Sequence, residues 1–303
     1  VWKPLKESWA MKTKISKQEL GNDLLFDTLL ALHDTFLGMG LNLYVVGAAA
    51  RDIMVSLMGV QDTPRATMDH DVAVALSDWS QFDTVKEALC RNNFVKDTPK
   101  QRFHFLGKGG NNNYEVDIVP FGPIAEDEAV AWPPEGDPTM SVRCFSDVMA
   151  HAERINVGGL INIYIASLPG QFFIKLDAWF DRHLLLNKDA KDMYYMADNY
   201  FLAMVSDDET PPEEVYAGAS SALAMGARWI ALESCKILST DNLKYYVRKL
   251  TEELSREDSA LVVDFYRASG IDTDSAFTIC WDAWADIRDI LTGEIKRRNG
   301  HDN

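Results

Sequence analysis

Two hydrophobic spacings alternate along the first two thirds of the chain, and one of them takes over at the end. Over residues 17–38, Leu24, Leu25, Leu29, Leu30, Leu32 and Phe36 recur at helical spacing, and Gly38 and Gly40 are expected to end that helix. Leu43 to Val46 is a short β-prone run that stops at Gly47. Ala48 to Met58 then reads as a helix closed by Gly59, and residues 60–67 as a polar loop. His70 to Leu76 alternates as a strand does, and Asp78 can cap a helix running to about Asn92. Phe103 to Leu106 and Tyr114 to Val119 predict two strands joined as a hairpin through Gly107 to Asn113. Residues 122–143, with Pro123, Pro133, Pro134 and Pro138, read as a long loop. A short helix is expected over Phe145 to Glu153. A last hairpin follows over Arg154–Val157 and Leu160–Ala166, turning at Gly158-Gly159, and the pattern is helical from Leu168 almost to the end.

This order predicts an α+β fold, a small mixed sheet with helices followed by a C-terminal helical bundle. The clearest break is Asp207 to Pro212, acidic and then Pro211-Pro212. It divides the chain into an N-terminal extension (1–16), a sheet-bearing domain (17–206) and a helical domain (207–303). The composition, 47% hydrophobic and 25% charged, is that of a folded chain and excludes a disordered or collagenous one. No run of about 18 uncharged apolar residues exists, so no membrane span is expected. Val1 to Lys12 lacks the apolar centre of a secretion signal. Cys90, Cys144, Cys235 and Cys280 form no Cys-x-x-Cys pair and the six histidines are scattered. Reduced thiols in a cytoplasmic protein are therefore expected, and a zinc site is not. The formal charge of −16 is shared evenly between residues 1–204 and 205–303. It argues against a broad nucleic-acid-binding surface, leaves room for local basic contacts, and suits cationic partners.

Candidate chemistry lies in three stretches: Tyr44 to Asp52, Thr67 to Val74, and Glu115 to Gly122. In a strand, residues two apart share a face, so Asp69 and Asp71 project together and His70 points away. The apolar Val72, Val74 and Leu76 are expected to continue that face. Paired carboxylates repel unless a cation lies between them, and oxygen-only ligands favour Mg²⁺ or Mn²⁺. Asp117, in the apolar strand Tyr114 to Val119, would complete the site if that strand lies beside Asp71. Gly47 marks a strand–glycine–helix turn whose helical amides attract phosphate oxygens; Ala48 to Ala50 keep side chains out of the way, and Arg51 could reach a phosphate. Taken singly, each has a plainer explanation: a solvated Asp-x-Asp, a packing glycine, an edge carboxylate. Their joint occurrence in this order favours a metal–phosphate site.

The series Gly47…Arg51-Asp52, Asp69-x-Asp71, Asp117 resembles the nucleotidyltransferase superfamily that includes polymerase beta, with Gly47-Ala48 where that family has Gly-Gly or Gly-Ser. Arg51-Asp52 after the turn resembles the tRNA CCA-adding enzymes and poly(A) polymerases. Lys175…Arg182…Lys188-Asp189-Ala190-Lys191-Asp192 resembles the helices of AbiE-type nucleotidyltransferase toxins from abortive-infection and toxin–antitoxin systems. The resemblance covers roughly residues 40–205 and implies a nucleotidyltransferase fold for the domain at 17–206. It implies Mg²⁺ (or Mn²⁺) at Asp69, Asp71 and Asp117, which would be the catalytic acids. It also implies a nucleoside triphosphate, such as ATP, held by Gly47, Ala48, Arg51, Lys175 and Lys188, with Asp189 and Asp192 organising the basic groups. The acceptor it implies is RNA, with tRNA the leading case and a local basic groove built from Lys175, Arg182, Lys188 and Lys191. An antitoxin protein is the implied partner. For Lys188, Asp189 and Asp192, two solvated helix faces with i,i+4 pairs account for the sequence equally well. Two other readings stand beside RNA transfer: transfer to a small cation such as an aminoglycoside, and a non-catalytic module that binds a partner protein.

Other signals are weak. Gly38-Met39-Gly40 lacks the third glycine of a dinucleotide fingerprint, and neither a Walker-type loop nor a Gly-x-Ser-x-Gly elbow is present. His70 and His104 are expected at packing or polar-edge positions, and Trp229, Trp281 and Trp284 in a helical core. Trp132-Pro133-Pro134 reads as a pocket rim or a rigid surface turn.

Overall fold

The computed structural model describes residues 13–57, 69–107, 113–185, 187–206, 209–219 and 221–301. β1 (Lys14–Ile15) opens it, inside the stretch expected as an extension. α1 (Lys17–Leu20) is capped by a reciprocal Ser16–Glu19 capping box. Gly21, at φ 65°, ends α1, and Asn22 accepts from the Leu25 amide to start α2 (Asp23–Gly38). The single helix expected over 17–38 is thus two, because a left-handed glycine and a fresh N-cap interrupt one apolar periodicity. β2 (Tyr44–Val46) leads directly into α3 (Gly47–Leu57). The expected stop at Met58-Gly59 and the loop at 60–67 lie outside the described residues.

β3 (Asp69–Ala75) is followed by α4 (Trp79–Arg91), which Asp78 caps as expected. β4 (Phe94–Lys96) is a three-residue strand too short to show a period. β5 (Arg102–Leu106) and β6 (Asn113–Phe121) pair antiparallel. Within the stretch expected as a loop, β7 (Ala129–Ala131) and β8 (Thr139–Ser141) form a small hairpin of their own. Of Trp132-Pro133-Pro134, the two prolines form an exposed turn as expected, while Trp132 itself is buried, 1% exposed, with its ring 5.6 Å from that of Trp79. α5 (Phe145–Ala150), β9 (Glu153–Val157) and β10 (Ile161–Ile165) follow, the two strands forming the expected antiparallel hairpin. The remaining elements are helices: α6 (Leu168–Arg182), α7 (Lys188–Ser206), α8 (Glu213–Tyr216), α9 (Ala222–Ile237), α10 (Thr240–Leu254), α11 (Ala260–Ser269) and α12 (Asp274–His301).

The architecture is mixed α and β, with one eight-stranded mixed sheet in the order β1-β9-β10-β2-β3-β6-β5-β4. β10 and β2 run parallel, β2 and β3 antiparallel, and β3 and β6 parallel. Period-two alternation assigns Asp71 and Ala73 to one face and Val72, Val74 and Leu76 to the other. The apolar run after the acids therefore does not continue their face, as the sequence reading had it. It lies with Val116 and Ile118 in the core, all of these at 2% exposure or less. α3 packs on β2, β3 and α6, so it ties the sheet to the helices.

α6 is the hinge of the packing between the two halves. Phe173 lies 4.9 Å, centroid to centroid, from Tyr246 of α10, and Phe172 lies 5.5 Å from Trp284 of α12. α7 packs on α9 and α11. A Cβ at Gly226 of α9 would run into the Ala197 carbonyl of α7, so only glycine lets these two backbones approach so closely. The helical packing thus runs without a gap from α6 and α7, ahead of the 207–212 break, to the helices after it. Trp229 and Trp284 are buried in it, and Trp281 packs against it half-buried.

Candidate functional site

Strand register assembles the site. On β2 and β3, Val46 stands opposite Asp71; on β3 and β6, Asp71 stands opposite Asp117. Gly47 follows Val46 in the chain. Gly47, Asp71 and Asp117 are thereby carried to one place by three adjacent strands, and all three line a cavity of about 230 Å³. Its other wall comes from α6 and the start of α7, with Lys175, Arg182 and Lys188.

Gly47 is required at the turn on two counts. Its φ is 68°, and a Cβ there would overlap the Asp71 carboxylate. The acid is thus pressed against the backbone bend where α3 starts. Ala48 follows half-buried and is not part of the cavity wall, while Ala49 and Ala50 are buried behind it.

The Asp117 carboxylate, 15% exposed, is gripped at both oxygens by Arg102, whose Nε and Nη2 donate at 2.8 and 3.0 Å. Arg102 Nη1 also contacts Glu115 at 2.7 Å. The Asp117 hydrogen bonds and the two carboxylate charges raise the Arg102 guanidinium above its ordinary range. Asp69 stands opposite Glu115 in the β3–β6 register; its side chain lies outside what is described. Among the described residues no group of three or more His, Cys, Asp or Glu could hold a metal ion. Asp71 and Asp117 still fit a hard cation in kind and in place. Mg²⁺ is commonly held by one or two carboxylates and completed by water and substrate phosphates.

Behind the cationic wall lies a buried ionic chain. Asp189, with no exposed side-chain surface, accepts from Lys175 at 3.3 Å and from Arg182 at 2.8 and 2.9 Å. Asp192 meets Lys175 at 2.9 Å and Arg51 at 2.6 Å. Burial alone would lower the Lys175 ammonium, but Asp192, Asp189 and Asp71 together hold it above the ordinary lysine range. Burial also works against Arg182 and is outweighed by the Asp189 hydrogen bond and charge. Asp189 in turn stays below the usual carboxylate range: its burial, which would raise it, is overcome by Arg182 and Lys175. Lys175 and Arg182 are therefore both held in their charged forms.

The reading of Arg51 as a phosphate contact needs correction. One helical turn into α3, its side chain is buried and clamped to Asp52 at 2.7 Å and to Asp192, with the Tyr195 ring 5.2 Å from the guanidinium carbon. It braces α3 to α7 and does not line the cavity. Asp189 is likewise a support behind Lys175 and Arg182, and Asp192 pairs with Arg51 and Lys175. Three polar residues of the cavity lining were not among the candidates expected from the sequence. Arg102 is brought to the site by the β5–β6 register, which sets it opposite Asp117. Gln101 and Gln171 also line the cavity; Gln101 Oε1 is buried and accepts no hydrogen bond from the described residues, while Gln171 Nε2 donates to the Ala166 carbonyl at 2.7 Å. Nothing in the sequence marks either glutamine. His104 is a polar-edge residue paired to Asp97 at 2.8 Å, as expected.

No family model matches the chain, and no curated protein matches it. Among the described residues no helix is long and apolar enough to cross a membrane.

Proposed function

We propose that the protein is a metal-dependent nucleotidyltransferase, moving a nucleoside monophosphate from a nucleoside triphosphate to an acceptor hydroxyl with release of pyrophosphate. The observation that carries this reading is the paired Asp71 and Asp117 in one cavity with Gly47, Lys175, Arg182 and Lys188. Carboxylates on one wall and cations on the other divide the cavity into a region for a cation and a region for phosphate. The reading includes a nucleotidyltransferase fold for the sheet-bearing part.

Asp69, Asp71 and Asp117 would hold Mg²⁺ or Mn²⁺, which when bound neutralises triphosphate charge and acidifies the acceptor hydroxyl. Lys175 and Arg182, kept charged and rigid by Asp189 and Asp192, take the triphosphate tail, and Lys188 closes over it from the α7 start. Gly47 lets the tail approach the backbone without a side chain intervening. The hydroxyl, losing its proton to solvent, attacks the α-phosphorus in line; the bond from that phosphorus to its bridging oxygen breaks, and the pyrophosphate leaves against the cationic wall. Fixed dipoles and charges lower the barrier because none has to reorganise during the reaction.

For the acceptor we favour RNA, as in AbiE-type toxins. Lys188 and Lys191 are exposed at the start of α7, and Lys188 lines the cavity with Arg182, a local basic feature on an otherwise acidic molecule. An antitoxin protein would be the partner under the same reading. The test is incubation with each labelled ribonucleoside triphosphate and Mg²⁺, with total tRNA in one series and an aminoglycoside panel in the other. Label entering tRNA supports the reading. Label entering the aminoglycosides moves the acceptor to small cations, and label in neither, with no nucleotide binding by calorimetry, removes the enzyme reading.

A further inference from the structure

Arg102 carries an inference that rests on the metal-dependent reading. It stands on β5 directly opposite Asp117 and spends three nitrogens on acids: two on Asp117 and one on Glu115. Both oxygens of Asp117 are thereby engaged. A divalent ion using either oxygen must take it from a full positive charge about 3 Å away, in a partly buried cavity where water screens charge weakly. Of the other cations that line the cavity, Lys175 and Arg182 are tied to Asp189 and Asp192 behind the wall.

We propose that Arg102 makes the site accept its divalent cation together with a polyphosphate and resist the bare ion. A bare ion that displaced the guanidinium would leave it facing a second positive charge with Glu115 as its remaining counter-ion. A metal–polyphosphate complex brings net negative charge and paired oxygens, which the planar fork of arginine binds bidentately. The released Arg102, already lining the cavity, changes partners from Asp117 to phosphate. Metal and polyphosphate then bind with positive coupling, and each tightens the other by the same factor.

The test is equilibrium dialysis of the full chain against Mn²⁺ at matched free-ion concentration, with and without inorganic tripolyphosphate. Expected in the wild type is weak uptake of Mn²⁺ alone and uptake roughly tenfold tighter with tripolyphosphate. Arg102→Met should bind Mn²⁺ alone roughly tenfold more tightly than the wild type and lose most of the coupling. Arg102→Lys keeps the charge but cannot fork two oxygens; it should fall between the two, and it serves in place of the methionine variant if that fails to fold. If neither variant gains affinity for Mn²⁺ alone while Asp71→Asn abolishes wild-type uptake, the role of Arg102 is overturned and the metal site stands. If no protein takes up Mn²⁺ under either condition, or Asp71→Asn binds as the wild type does, the metal reading fails and the inference falls with it.

Discussion

Single side chains in this protein are held in place by backbone geometry that leaves little choice. Gly47→Ala would force a Cβ into the Asp71 carboxylate at a φ of 68°. A loss of about 1–3 kcal/mol is expected, measurable as a lower urea midpoint, together with weakened triphosphate binding. Asp71→Asn and Asp117→Asn should each lower nucleotidyl transfer by roughly 10²–10³-fold or more, with unchanged circular dichroism. Asp117→Asn is the more informative of the two, since it also frees Arg102. Near-normal transfer in both would remove the catalytic assignment. Asp177 belongs to a different balance. It is 3% exposed, and burial pushes its carboxyl up to about 6, although the Ser141 hydroxyl donates to it. A carboxyl raised in the folded state favours folding while protonated. Its contribution is therefore fully present below about pH 4 and lost as the pH rises through about 6, on the order of 2–3 kcal/mol. Asp177→Asn should flatten that part of the stability–pH profile in urea titrations.

Two helices, α6 and α7, decide whether the cationic wall exists. Lys175 and Arg182 come from one, Lys188, Asp189 and Asp192 from the other, and Arg51 of α3 locks on to the second. The acids behind the wall are what make the positive charges of Arg51, Lys175 and Arg182 tolerable in one place. Asp189→Asn leaves Lys175 and Arg182 short of a buried counter-charge, and a loss of about 3 kcal/mol is expected in chemical denaturation. Triphosphate affinity should fall with it, because the two cations lose their fixed positions. An unaltered denaturation midpoint would show that Asp189 is not the keystone of the chain. The helix start explains why this was only half legible. Lys-Asp-x-x-Asp reads equally as a solvated face, and the difference lies in what α3 and α6 bring against it.

For the molecule as a whole, the helices after residue 212 reach the site through α6 and α7. Widening the α7–α9 contact with Gly226→Val should cost about 1–3 kcal/mol or more. It should also lower the stability of the sheet-bearing part and the helices in a single calorimetric transition; two separate transitions would show that the halves melt independently. Net charge of −16 sets a limit on acceptor binding. If single-stranded RNA is met only by Arg182, Lys188 and Lys191, the slope of log affinity against log salt should be about −2, and a much steeper one would require a basic surface elsewhere. Much of this architecture could be read from the chain: period-two runs for β3, β6 and β10, a cap at Asp78, the hairpin at Gly158-Gly159, helices after Leu168. Local rules suffice there, because each depends on a few neighbours in sequence. The glycine bend and the Asp-x-Asp pair were visible for the same reason. β1 and β4 were not, being too short to show a period; the face of Val72 and Val74, opposite that of Asp71, follows from period-two alternation and not from the apolar run. That Arg102 grips Asp117, that Arg51 turns inward to Asp192, and that Asp189 is a buried counter-ion depend on pairings across 7 to 141 residues. Those pairings follow from strand register and helix packing, where long-range contact and desolvation outweigh anything local sequence can express.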